Sequence, residues 1–347
     1  MRLDEFDFEL PASAIAQRPV EPRDAARLLH VSGGLADHRA DHRVRDLPGL
    51  LRPGDLMVFN DTKVIPARLR GSRGEASIEV TLHKEEGEGI WAAFARPAKR
   101  LKEGDAIGFA DDLRAAVTAK RDAGEVVLDF QTTRNGLFAA LEAHGRMPLP
   151  PYIKREKTGD DEDREDYQTM FAARDRAEAP PTARQHITPG QMERMAEAGI
   201  DYQNQKLHVG AGTFLPVKAD DTDDHVMHGE WGEVPPGAAR RINEARAAGG
   251  RIVGVGTTVV RLLESAADGH GRIHPFDGET DLFITPGYEF KAVDLMLTNF
   301  HLPKSTLFML VSAFAGTARM KAAYAHAVAS GYRFYSYGDC CLLEPQS

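Results

Sequence analysis

Between residues 55 and 130 the chain adopts a pattern found nowhere else in it. "DLMVFND", "VIPARLRG", "ASIEVTLHK", "GIWAAFAR", "DAIGF", "LRAAVTAK" and "EVVLDF" are short, often alternating runs, and Gly, Asp and charged turns separate them closely. That spacing predicts a small barrel or sandwich. From Thr188 the rhythm lengthens. "TPGQMERMAEAG" and "PPGAARRINEARAAGG" read as helices, "RIVGVG" as a buried strand feeding the helix "TTVVRLLESA", and "DLFITPGY" as another strand. "STLFMLVSAFAG" and "RMKAAYAHAVAS" read as two more helices. Alternation of this kind predicts an α/β layer with parallel pairing. The 347 residues exceed what one core usually fills, so the fold class expected is α/β with a second, smaller β domain.

The two styles meet in a polar stretch. "PLPPYIKR" is stiff and extended. Residues 156–166 then carry seven acidic and two basic side chains and read as an acidic mobile loop. Charge is uneven elsewhere too. Asp61 to Leu149 holds 14 basic and 14 acidic residues, so the net −9 lies outside that segment. Within it Lys63, Arg68, Arg70 and Arg73 form one basic group, and Arg96, Lys99, Arg100 and Lys102 another. A polyanion would meet these groups sooner than the acidic remainder, although a mixed, solvated surface accounts for them equally simply.

The N-terminal residues lack the basic and apolar stretches of a secretory signal, and no apolar run approaches the ~20 residues of a membrane span. Cys340 and Cys341 are the only cysteines, which excludes a disulfide framework and a paired-CxxC zinc site. Adjacent buried thiols in a reducing cytoplasm are expected.

Several short stretches carry chemistry. "KLHVGAGTF" sets His208 before Gly210, Gly212 and Thr213, but Leu215 and Pro216 occupy the place of the third glycine of a dinucleotide fingerprint. The glycines still permit positive φ or close approach to a ligand. "GVGTTVVRLLES" runs a strand into a helix across Gly256, Thr257 and Thr258, where free N–H groups and a positive helix end would suit a carboxylate or phosphate. Threonine as an ordinary cap, with Arg261 and Glu264 as a solvent pair, is the simpler reading there. In "TNFHLPKSTLFML", His301 precedes a Pro-stiffened turn and Ser305 caps the next helix, while Lys304-Ser305 lacks the glycines of a phosphate-binding loop. "DDHVMHGE" spaces His225 and His228 near Glu230 without the further ligands a metal needs, so no metal is expected. "APPTARQHIT" adds His186 beside a rigid turn.

Taken together, these stretches resemble one family. "DLMVFNDTKVIPARLRG", "MPLPPYI", "APPTARQHIT", "LHVGAGTF", "DDHVMHGE", "GTTVVRLLES", "LTNFHLPKSTLFMLVSAFAG" and "YRFYSYGD" occur in the order found in the S-adenosylmethionine:tRNA ribosyltransferase-isomerases. The similarity runs from "RLDEFDFELP" to "SYGDCCLL". Two places depart from the family: Arg184-Gln185 stand in its "APTAGLHF" block, and Val259 stands where a serine is usual.

The resemblance implies an α/β catalytic domain built from residues 1–60 and 150–347, with a β-barrel inserted at 61–149. It implies transfer and isomerisation of the ribosyl group of S-adenosylmethionine onto 7-aminomethyl-7-deazaguanine at the wobble position of tRNA with a GUN anticodon. Epoxyqueuosine forms, and adenine and methionine leave. S-adenosylmethionine is then a substrate and no cofactor is needed. The chemistry asks for proton carriers, and His186, His208, His228 and His301 are the candidates, with His208 or His301 as the base at C5′. Gly210, Gly212, Thr213, Gly256, Thr257, Thr258 and Arg261 would hold S-adenosylmethionine. Lys63, Arg68, Arg70, Arg96, Lys99 and Arg100 would hold tRNA, and Phe214, Tyr288 or Phe300 could stack on the base. A monomer is expected. A methyltransferase using the same sulfonium and a non-catalytic RNA-binding protein are the rival readings.

Overall fold

The computed structural model describes residues 1–33, 39–60, 65–150, 152–155, 162–166, 187–207, 221–222, 225, 227 and 229–346. The chain divides into two compact units, Met1–Lys63 with Gln168–Ser347, and Val64–Tyr167.

In the first unit lie β1 (Arg27–Val31), β2 (Arg39–Arg43) and β3 (Leu56–Asn60). The second holds β4 (Arg68–Arg73), β5 (Ala76–Gly87), β6 (Ile90–Arg96), β7 (Ala106–Ala110), β8 (Leu113–Lys120) and β9 (Glu125–Asp129), followed by α1 (Arg134–His144) and α2 (Glu162–Asp166). These six strands close a barrel in the order β4-β5-β6-β9-β8-β7. Closure leaves no edge open to other chains. Along β5, Ile78, Val80 and Leu82 point inward between Glu79 and Thr81, the period-2 alternation already visible in the sequence. The acidic segment departs from expectation. Its last residues form α2, because Arg155 grips the buried Asp163 through two bonds of 2.8 Å. Residues 156–161 lie outside the described residues.

The first unit continues with α3 (Pro189–Glu197), β10 (Asp201–Leu207), β11 (Glu230–Val234), α4 (Pro236–Ala247), β12 (Ile252–Val255) and α5 (Thr257–Ala266). It ends with β13 (Phe276–Thr280), β14 (Leu295–Asn299), α6 (Thr306–Ala315), α7 (Thr317–Ala329) and β15 (Cys340–Leu343). Nine strands form one sheet in the order β13-β11-β10-β3-β12-β14-β15-β1-β2. Its centre, β10-β3-β12-β14, is parallel. Strands β3 and β12 are buried throughout, as strands covered on both faces must be. One face packs Met57, Phe59, Val253, Val255 and Leu297 with Met195 of α3. The other meets α5 so closely that a Cβ on Gly254 would lie 2.8 Å from Val260 Cγ2.

The stretch "DLFITPGY" is not a strand. β13 ends at Thr280, and beyond it Pro286 has no N–H while Gly287 sits at φ 100°. The Tyr288 N–H closes a turn onto the Thr285 carbonyl at 3.1 Å. Cys340 and Cys341 lie buried in β15, where burial pushes both thiols up.

Candidate active site

The four central strands run the same way, so β3, β10, β12 and β14 end at Asn60, Leu207, Val255 and Asn299 on one edge of the sheet. In open α/β sheets ligands bind outside that carboxyl edge. Gly256, Thr257 and Thr258 directly follow β12, and His301 follows β14 by two residues. Lys63, His186, His208, Gly210, Gly212, Thr213, Phe214 and His228 lie outside the described residues.

Gly256 is the N-cap of α5 at φ 95° and ψ 143°, a backbone state that side chains resist. Its N–H donates to the Leu297 carbonyl at 2.8 Å and so fastens the turn to β14. No side-chain oxygen caps α5, so neither threonine acts as the ordinary cap the sequence suggested. Among the described residues no side-chain acceptor meets the positive end of the helix.

Arg261 and Glu264 are not a solvent pair. Arg261 is 2% exposed and forms an ion pair with Glu230, itself 3% exposed at the start of β11. Burial lowers the guanidinium pKa to about 10, so it remains charged at neutral pH. Its Nε and Nη1 have no hydrogen-bond partner among the described residues. Glu264 turns the other way and accepts the N–H groups of Lys291 and Ala292 and the Tyr288 hydroxyl. Burial pushes its carboxyl up against those bonds. Val259, at the family's serine position, is fully buried.

His301 is 8% exposed. Its Nε2 lies 3.2 Å from the Thr298 hydroxyl, and its backbone N–H donates to the Tyr324 hydroxyl at 3.0 Å. Burial drives its pKa down to about 3, which makes it a neutral imidazole across the physiological range. Phe300 is completely buried among Tyr324, Tyr332 and Phe334, so it cannot stack on an incoming base as the sequence had suggested. Tyr288 is half-buried, its ring edge-on to Phe290. His225 packs its ring against Phe283 at 5.2 Å.

The basic residues of the barrel unit differ in availability. Arg68 donates to the Leu149 carbonyl at 2.9 Å, and Arg70 is paired with Glu79 at 2.9 Å. Arg96, Lys99 and Arg100 are exposed at the end of β6 and the turn after it, and no ion pair among the described residues involves them.

Sequence reasoning missed Gln205, Asn60 and Thr298, all buried polar side chains at or beside the carboxyl edge. The signal for Gln205 was present: a polar residue at an inward-facing position of a strand has to be satisfied or serve a ligand.

A family model described as "Queuosine biosynthesis protein" matches residues 3–343. A protein of Rhizorhabdus wittichii named S-adenosylmethionine:tRNA ribosyltransferase-isomerase is 58% identical over 99% of this chain and 100% of its own. One of the same name from Rhodospirillum rubrum is 57% identical over 99% of this chain and 98% of its own. A crystal structure of S-adenosylmethionine tRNA ribosyltransferase from Thermotoga maritima is 37% identical, has a TM-score of 0.56, and shares 97% of this chain and 99% of that one.

Proposed function

The chain belongs to the queuosine biosynthesis family, and from that premise we propose that it is an S-adenosylmethionine:tRNA ribosyltransferase-isomerase. It transfers the ribosyl group of S-adenosylmethionine to the aminomethyl nitrogen of 7-aminomethyl-7-deazaguanine at the wobble position of tRNA with a GUN anticodon. The ribose becomes an epoxycyclopentane, and adenine and methionine are released. S-adenosylmethionine is consumed, and no cofactor takes part. The observation that carries the reading is end-to-end similarity to a protein of this name, 58% identical over 345 residues that cover 99% of this chain and 100% of the relative.

The residues at the carboxyl edge suit this chemistry. A sulfonium acidifies its neighbouring C5′ proton; a base removes it, elimination opens the ribose, and adenine departs. Burial disfavours a proton on His301, which favours His208 of the two histidines as that base. His301 serves as a fixed neutral hydrogen-bonding group, and His208 is the proton acceptor. His208→Ala is expected to lower turnover by roughly 10²-fold or more. A loss within about threefold, measured as adenine release, would remove it from the mechanism. The turn Gly256-Thr257-Thr258 and the free N–H groups of Arg261 receive the carboxylate of the methionine moiety.

Arg96, Lys99 and Arg100 contact tRNA phosphates. Replacing all three by alanine should flatten the dependence of log binding constant on log salt by about 2 to 3, at roughly 0.7–0.9 per contact. An unchanged slope places the tRNA surface elsewhere. The decisive assay incubates the protein with S-adenosylmethionine and precursor-bearing tRNA. Free adenine and methionine support the reading, S-adenosylhomocysteine indicates methyl transfer, and an unconsumed substrate indicates binding alone.

A further inference from the structure

Gln205 stands on β10 opposite Asn60, the last residue of β3. Paired residues share a face, and alternation sets Asn60 on the same face as Val58, opposite Phe59 and its core. Val58 pairs with Gly254, whose open side is filled by Val260 of α5. Gln205 therefore belongs to the α5 side of the sheet, beside the carboxyl edge from which the candidate loops leave. It is 1% exposed, and neither its Oε1 nor its Nε2 has a hydrogen-bond partner among the described residues. A buried carboxamide that is wholly unsatisfied is a standing penalty to the fold, while an apolar side chain of the same length would carry none. A ligand that supplies both bonds removes that penalty.

A glutamine presents one donor and one acceptor side by side in a plane. Their complement is the edge of adenine, where the 6-amino group neighbours a ring-nitrogen acceptor. We propose that Gln205 reads the adenine edge of S-adenosylmethionine and is a specificity-determining residue of the site. This rests on the function proposed above.

Gln205→Met removes both polar atoms at nearly constant length. It should leave the melting temperature equal or higher, and weaken S-adenosylmethionine at least tenfold by calorimetry without tRNA. The wild-type protein should bind the sulfonium analogue carrying purine without its 6-amino group at least tenfold more weakly than S-adenosylmethionine; Gln205→Met should bind both alike. Unchanged S-adenosylmethionine affinity in Gln205→Met overturns the proposal, whether or not the KM for tRNA rises, since a rise there would assign Gln205 to the deazaguanine. A lower melting temperature with unchanged affinity makes Gln205 structural and overturns it equally. Failure of the wild-type protein to bind S-adenosylmethionine at all would instead sink the functional reading.

Discussion

Arg261→Met is expected to cost about 3–5 kcal/mol of stability in denaturant titration. The loss comes less from the missing contact than from what remains. Glu230, 3% exposed, would lose the buried guanidinium it is paired with. A buried carboxylate keeps its desolvation cost when the charge paired with it is removed. The double variant Arg261→Met, Glu230→Leu should recover most of the stability, because two apolar side chains replace a buried pair at little net loss. It should not recover affinity for S-adenosylmethionine, since the Nε–H and Nη1–H groups offered to the carboxylate are gone. Stability and binding then separate across two proteins. A single variant within about 1 kcal/mol of the parent would mean that solvent reaches the pair.

The second large effect lies at the opposite edge of the sheet. Asp55 is buried immediately before β3 and accepts four bonds: Arg251 Nε at 3.0 Å, Nη2 at 2.6 Å, the Arg251 N–H at 3.2 Å and the Arg52 N–H at 2.8 Å. It joins the starts of β3 and β12 where they pair. Burial pushes the carboxyl up, but the guanidinium and the two N–H groups outweigh it, so the group titrates below the ordinary aspartate range. A depressed carboxyl contributes stability that is present above its unfolded pKa, near 3.9, and is lost as pH falls through the lower folded value. Asp55→Ala should therefore cost about 2–4 kcal/mol at neutral pH and less near pH 2, where protonation has begun to remove the same contribution from the parent. Denaturant midpoints at both pH values check this. An equal loss at both would assign the effect to packing.

What could be read from the chain alone was whatever repeats locally. The barrel strands announced themselves through side-chain alternation, and α5 through an apolar stripe behind two glycines. β1 and β15 are short and lack alternation, and their pairing with each other, Leu28 with Cys340, joins the two ends of the chain. Arg261 and Glu264 looked like surface charges because their three-residue spacing is the usual one for a solvent pair; only β11 and the loop at 291–292 reveal that they face different partners. The burial of Phe300 is hidden from the sequence for a related reason. Its neighbours in space, Tyr324, Tyr332 and Phe334, come from downstream segments that no local window includes.

The pairing of β1 with β15 carries a consequence for biosynthesis. The N–H of Arg27 waits for the carboxylate of Asp339, 312 residues later. β3 likewise waits for β10 until the whole barrel unit has been made. On the ribosome the barrel can close early, since its pairings are local, whereas the large sheet stays unfinished until the last strand leaves the exit tunnel. Until then β1 has only β2 beside it, so a message truncated just before Cys340 keeps the local barrel pairings and loses the strand that joins β1 to β14.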